Sequence, residues 1–156
     1  MNFFNNLFSD KEISVEECVE MVENFLKERG LDPKEQSMGT TKDYISWSVC
    51  RGSAIIYIYI CLTNAEFKTI RVVSPIVFLP DDNILPLYRK CLETNMDLFG
   101  CALAVFEDKI VVISERPIQG LNESELDWML DHAAHVADEL DNTFADEFGA
   151  KLVSES

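Results

Sequence analysis

The spacing of apolar residues changes several times along this chain, and each change marks a new element. From residue 13 to 29, Val15, Cys18, Val19, Val22, Phe25 and Leu26 recur at helical spacing, while Glu16, Glu20, Glu23 and Lys27 fall on the other side. Ser14 and Glu17 stand in capping-box spacing, Ile13 and Cys18 occupy the staple positions, and Gly30 follows as the terminating residue before Asp32-Pro33. A one-sided helix of this kind must cover something.

From Tyr44 the period becomes two. Two strands, roughly 44–50 and 53–62, flank Arg51-Gly52, a pair suited to a two-residue turn. With the turn placed there, Ile45, Trp47 and Val49 share a face with Ile58, Ile56 and Ala54, and this row belongs to the core. The opposite row sets Tyr44, Ser46 and Ser48 beside Tyr59, Tyr57 and Ile55, a face of hydroxyls and rings instead of charges. A third strand runs from about Phe67 to Ile76, and Pro75 and Pro80 are expected to end the sheet run, leaving 76–79 as an extended connection.

A second helix starts near Asp81-Asp82, with Pro86 in its first turn and a stripe of Ile84, Leu87, Tyr88, Cys91, Leu92 and Leu98. Asn95 falls inside that stripe, so its amide should be hydrogen-bonded, to the connection around Phe99-Gly100. Next come a hairpin of 101–106 and 109–114, turning at Glu107-Asp108, and a third helix opened by Asn122 and Glu125 and running to about Phe144. The hairpin is apolar on both faces, which implies interior strands or an edge buried by another subunit. In the last helix Leu126, Met129, Leu130, Ala133, Ala137, Leu140 and Phe144 form the core stripe. Trp128, His132 and Val136 lie toward the other side.

The expected order is therefore helix-strand-strand-strand-helix-strand-strand-helix. Two tight hairpins and a meander cannot be made parallel without crossover helices, so the fold class is α+β, with an antiparallel sheet of about five strands flanked by helices. Its core should include Val22, Phe25, Trp47, Ile56, Ile58, Leu87, Cys91, Leu103, Val112, Leu130 and Leu140. The expected organisation is an N-terminal arm at 1–12, a single domain at 13–148 and an acidic tail at 149–156. The arm carries Phe3, Phe4 and Phe8, which either dock on the body or a second subunit or belong to a frayed end.

Composition narrows the function classes. The 156 residues are 47% apolar and 26% charged, as in ordinary globular proteins. The formal net charge is −15, from 28 acidic and 13 basic residues, and beyond Leu121 the sole basic residue is Lys151. Such a field repels phosphate backbones and anionic lipid, so neither nucleic acid nor membrane is an expected partner. It either steers basic or neutral protein partners or serves solubility alone. The five cysteines have no CxxC spacing and fall at apolar positions, which suits a reducing, cytoplasmic setting. No signal-peptide pattern or membrane-length apolar run is present.

No catalytic motif emerges. His132 and His135, near Asp131, Asp138 and Glu139, have the types and spacing of helix-borne metal ligands, but two histidines on an acidic, open helix face lack the partners that fix such ligands, so no metal is expected. The cysteines map to core stripes and the histidines to the water side, which separates any Cys/His pair. Phosphate-binding loops, dinucleotide fingerprints and nucleophile elbows are missing. The expectation is no enzyme, no catalytic residues and no cofactor.

The run Leu87-Tyr88-Arg89-Lys90-Cys91-Leu92-Glu93-Thr94-Asn95, with Gly100, Ala102-Leu103-Ala104-Val105, Ile110-Val111-Val112-Ile113, Gly120-Leu121-Asn122-Glu123-Ser124-Glu125-Leu126 and Ala137-Asp138-Glu139-Leu140, resembles the YbjN-like proteins. These share the fold of the type III secretion chaperones (CesT-like). The likeness covers residues 13–148 in layout and 84–144 in residue pattern. It implies an antiparallel sheet flanked by helices, frequent homodimers and, in the secretion branch, a cytosolic chaperone that holds an extended client segment. The pattern lies nearer the YbjN-like branch.

Two function classes follow. The leading one is a non-catalytic protein- or peptide-binding chaperone-like or adaptor protein, working as a homodimer, whose basic or apolar client meets Phe3, Phe4, Phe8, Tyr44, Ile55, Tyr57, Tyr59 and Trp128. The alternative is a regulatory module that binds a small molecule through the Tyr-rich sheet face.

Overall fold

A computed structural model describes residues 12–63 and 66–153, so the expectations for Phe3, Phe4 and Phe8 lie outside the described residues. The elements are α1 (Val15–Glu28), α2 (Pro33–Gln36), β1 (Ser37–Thr40), β2 (Tyr44–Arg51), β3 (Ala54–Cys61), β4 (Thr69–Phe78), α3 (Ile84–Thr94), β5 (Ala102–Phe106), β6 (Lys109–Pro117) and α4 (Glu123–Phe148). The strands form one open antiparallel sheet of six, in the order β1-β2-β3-β4-β6-β5. The α+β class and the expected element order hold, with α2 and β1 as additions.

Each addition has a local cause. Asp32 caps α2 by accepting from the Lys34 N–H at 2.8 Å, and Pro33 fits the first helical position, so one helical turn forms where no apolar pattern announces it. β1 reads Ser-Met-Gly-Thr and is exposed throughout; only its pairing with β2 makes it a strand. Short polar strands of this kind suit a sheet edge.

The chain groups into two compact units. One comprises residues up to 48, 58–71 and 115–128; the other comprises 49–57, 72–114 and 129 onward. In the first, the α1 capping box forms as expected: Ser14 Oγ accepts from the Glu17 N–H at 3.1 Å, and Glu17 accepts from the Ser14 N–H at 2.9 Å. Cys18, Val22, Phe25 and Leu26 are buried, with Trp47, Ile58, Ile60 and Ile70. Ser46, placed on the polar row, is buried because β1 lies against it: Gly39 pairs with Ser46, and the Ser46 hydroxyl donates to the Gly39 carbonyl at 3.5 Å. Ile118 donates its N–H to the Lys68 carbonyl, and the Gln119 amide ties to both backbone groups of Ile13 at 3.0 and 3.4 Å.

The second unit holds Ile56, Val72, Ile76, Leu87, Leu103, Val112, Leu130, Ala133, Phe144 and Phe148 in its interior. Of the expected core, Leu140 alone is half-buried; Asp141 and Val136 are buried instead, so the inward face of α4 is broader than the stripe drawn from periodicity. The β2–β3 turn sits at Gly52-Ser53, one place later than expected. Moving a two-residue turn by one place shifts the register by two, so the faces keep their assignment and Val49, Ala54 and Ile56 are buried as read.

Pro75 does not end the sheet run, which reaches Phe78. Proline removes one ladder donor and no more, and past it the C-terminal segment supplies new partners: Val77 bridges to Leu152, and the Phe78 N–H donates to the Lys151 carbonyl at 2.9 Å. Of residues 149–156, Ala150 and Val153 are buried. Helix α3 starts at Ile84, not at the aspartates, after Asn83 in a left-handed conformation at φ 64° with no side-chain cap.

Candidate functional site

In the second unit the helix–strand pair α3–β5 is fastened by side chains whose types suit the task. Asn95, at the C-cap of α3, donates from Nδ2 to the Leu103 carbonyl at 3.2 Å and accepts the Leu103 N–H at 2.7 Å, a two-point clamp on β5. The sequence placed this bond at Phe99-Gly100, and the structure moves it to Leu103. Gly100 is held instead by the Ser114 hydroxyl, which donates to its carbonyl at 2.7 Å. At the hairpin end Phe106 pairs with Lys109 across Glu107-Asp108, where Glu107 takes a positive φ of 54°.

This clamped pair and the connection between its two elements carry six large exposed apolar side chains. Leu85, Leu92, Met96, Phe99, Val105 and Phe106 are between 49% and 85% exposed. Leu85 and Leu92 are seven residues apart, hence on one helix face, and Leu87 and Cys91 occupy the buried one. Leu92 was expected in the buried stripe and is instead exposed. Its host segment is electrically balanced, with Arg89 and Lys90 against Glu93 and Asp97, and Arg89 Nε lies 2.7 Å from the Glu93 carboxylate. β5 is also the terminal strand of the sheet, with one side of its backbone outside the ladder.

The first unit contains a different kind of surface. Tyr44 and Tyr59, paired in the sequence reading, meet edge to face with ring centroids 5.5 Å apart. Tyr44 is exposed and Tyr59 half-buried; in the second unit, Ile55 and Tyr57 are half-buried at alternate positions of β3. Trp128 is 43% exposed. Elsewhere in the first unit Glu115 accepts from Arg71 Nε and Nη2 at 2.9 and 2.8 Å and from the Thr69 hydroxyl at 2.7 Å.

Between α1 and the start of α4 lies a cleft of about 510 Å³ lined by Ile13, Glu17, Glu20, Met21, Asn24 and residues 120–123. A separate small pocket shares Met21, Asn24 and Glu123 with it and is otherwise lined by Phe25, Glu28, Leu126 and Asp127. No base lines either one. The cleft leaves no signal in the sequence because its residues come from the water side of one helix and the capping turn of another, and neither has an apolar pattern.

The two histidines of α4 have separate partners. His132 Nε2 lies 2.8 Å from the Phe99 carbonyl, with its ring 5.7 Å from the Phe99 ring, and His135 Nε2 lies 3.5 Å from Glu139. His132 is half-buried against this loop, not on the water side. Among the described residues, no group of His, Cys, Asp or Glu is placed to hold a metal ion. Burial pushes the Cys18 thiol up to about 12 and the Cys91 thiol up to about 11, so both are neutral, weak nucleophiles. Cys50 was read as a core position and is exposed, since it lies near the β2 turn. Asp141 is buried in α4, and burial raises its carboxyl above the ordinary range. Among the described residues, no helix is long and apolar enough to cross a membrane.

Comparison with known proteins adds the following. Residues 16–155 match the family described as T3SS (YopN, CesT) and YbjN peptide-binding chaperone 1. No curated protein matches the chain. Among solved structures, a chain of the ExsC–ExsE complex superposes with a TM-score of 0.62 at 14% identity, covering 84% of this chain and 96% of that one. YbjN from E. coli superposes with a TM-score of 0.50 at 13% identity, covering 86% and 95% respectively. At these identities the likeness is one of fold.

Proposed function

Because the chain belongs to the T3SS and YbjN peptide-binding chaperone 1 family, we propose that it is a non-catalytic, cytoplasmic chaperone or adaptor that works as a homodimer and holds an extended segment of a protein client. The observation that carries this reading is the apolar surface on α3 and β5. Four large side chains stand in water there, with Met96 and Phe99 in the connection, although the clamp at Asn95 and Leu103 fastens the segment. Large apolar side chains left exposed on a well-fastened scaffold mark a contact with another protein. The ExsC–ExsE complex is a protein–protein assembly on the same fold, which agrees with a protein partner here.

We assign the α3–β5 surface to self-association. An edge strand and a helix face of balanced charge can meet their own copies about a two-fold axis, and that balance matters in a chain of net charge −15. The client contacts proposed are Tyr44, Ile55, Tyr57, Tyr59 and Trp128, with Phe3, Phe4 and Phe8. The small-molecule alternative gains nothing from the structure, since neither cleft described above is lined by a tyrosine.

Sedimentation equilibrium tests the assembly. The expected result is a dimer at micromolar concentration and a folded monomer for the Leu92→Asp/Phe106→Asp variant. A wild-type monomer at high micromolar concentration would overturn it. An array of short apolar and basic peptides tests the binding function, and Tyr57→Ala/Tyr59→Ala is expected to weaken capture about tenfold. Thermal stabilisation by a metabolite, lost in Tyr44→Ala, would instead favour the small-molecule reading.

A further inference from the structure

The cleft between α1 and the start of α4 combines features that specify an occupant. Its base is apolar: Ile13 and Leu121 are buried beneath it and Met21 is half-buried along it. Its rim is acidic, with Glu17, Glu20 and Glu123, and Glu28 and Asp127 line the smaller pocket that shares Glu123. Glu17 is committed to the α1 capping box and Asp127 to Arg29 at 3.8 Å, whereas Glu20, Glu28 and Glu123 make no ion pair among the described residues. The Asn24 and Asn122 side chains add amide groups to the lining.

We propose that this cleft seats a basic, amphipathic stretch of the client, with apolar side chains and Lys or Arg stems on Ile13, Met21 and Leu121 and their charged ends at Glu20 and Glu123. The inference rests on the peptide-binding reading above. A volume of about 510 Å³ lies in the range of ligand sites and is far larger than a packing defect. Anions are opposed by the rim. A metal ion is not the cation sought, since no group of acidic side chains here is disposed to hold one. Long cationic side chains lay methylene stems on apolar surface and keep their charge at a polar rim, which matches this lining. The charges on the rim also oppose one another, and a bound cation relieves that repulsion.

The test uses three short fluorescein-labelled peptides, alternating Leu with Lys, with Gln or with Glu, followed by fluorescence anisotropy on the full chain. The Leu-Lys peptide is expected to bind best, with affinity that falls as salt rises. The Glu20→Lys/Glu123→Lys variant should bind it about tenfold more weakly than Asp146→Lys/Glu147→Lys, which changes the net charge equally at exposed positions elsewhere. Glu20→Gln/Glu123→Gln serves as the milder pair if charge reversal perturbs folding, and amide shifts on titration should cluster at Glu20, Asn24, Leu121 and Asn122. Equal weakening by the two reversed variants, or amide shifts elsewhere, would overturn the assignment. Binding of the Leu-Gln peptide without preference for Leu-Lys would leave peptide binding standing and remove this site. Failure of all three peptides to bind would remove both.

Discussion

Helices α1 and α3 are both amphipathic, and in sequence each shows one apolar stripe facing one polar side. In α1 none of the stripe is left exposed: Cys18, Val22, Phe25 and Leu26 are buried, Val15 and Val19 are half-buried, and the helix is held by a side-chain cap. In α3 Leu87 and Cys91 alone are buried, Leu85 and Leu92 stand in water, and the N-cap Asn83 makes no side-chain bond. The difference separates two roles that amphipathicity by itself merges. One apolar face completes a core; the other offers a second apolar strip to something outside the chain, and the clamp at its C-terminal end keeps that strip in place.

Substitutions can sharpen or break this contrast. The largest effect is expected in α1: Leu26→Ala should cost about 2–5 kcal/mol in urea denaturation, from lost burial and the cavity left behind. Asn95→Ala, which strips the Leu103 N–H of its acceptor, should cost about 1–3 kcal/mol and raise hydrogen exchange at the Leu103 amide.

The thiols supply a pH test. Burial raises Cys18 from 9.0 to about 12, so the unfolded chain ionises first; stability is intact below pH 9 and falls as pH rises toward 12. At pH 10 the Cys18 share of that loss is on the order of 1 kcal/mol, and Cys18→Ala should remove it from the difference between pH 8 and pH 10. Cys91 in α3 should lose its share over the narrower interval from 9 to about 11.

Smaller effects separate the two helix starts. Ser14→Ala should cost about 1 kcal/mol, whereas Asn83→Gly should move stability by less than about 0.5 kcal/mol, because no side-chain bond is lost and relief of the left-handed backbone is offset by a freer unfolded chain. The smallest change is expected from Leu92→Ala in the isolated monomer, within about 0.5 kcal/mol. A cost at Leu92 equal to that at Leu26 would mean that both stripes serve the fold and would erase the contrast.

Much of the architecture was legible in the chain by itself, for local reasons. Capping boxes at Ser14–Glu17 and Asn122–Glu125, the alternation through Trp47 and Ile58, and the turn at Glu107-Asp108 depend on residues close in sequence, so their geometry follows from side-chain chemistry and spacing. Tyr44 and Tyr59 were placed on the same face and their rings do meet, although the shifted turn makes them diagonal neighbours and not the directly opposed pair expected, because strand alternation survives a register shift of two. Tertiary structure decided the rest. β1 exists through its partner β2, β4 outruns Pro75 because residues 151–152 come alongside, and Asn95 finds Leu103 only when α3 lies on β5. Exposure at Leu92 and the acidic cleft beside Ile13 belong to this second class: periodicity tells which residues of an element lie together, but whether a neighbour covers them depends on packing between segments distant in the chain.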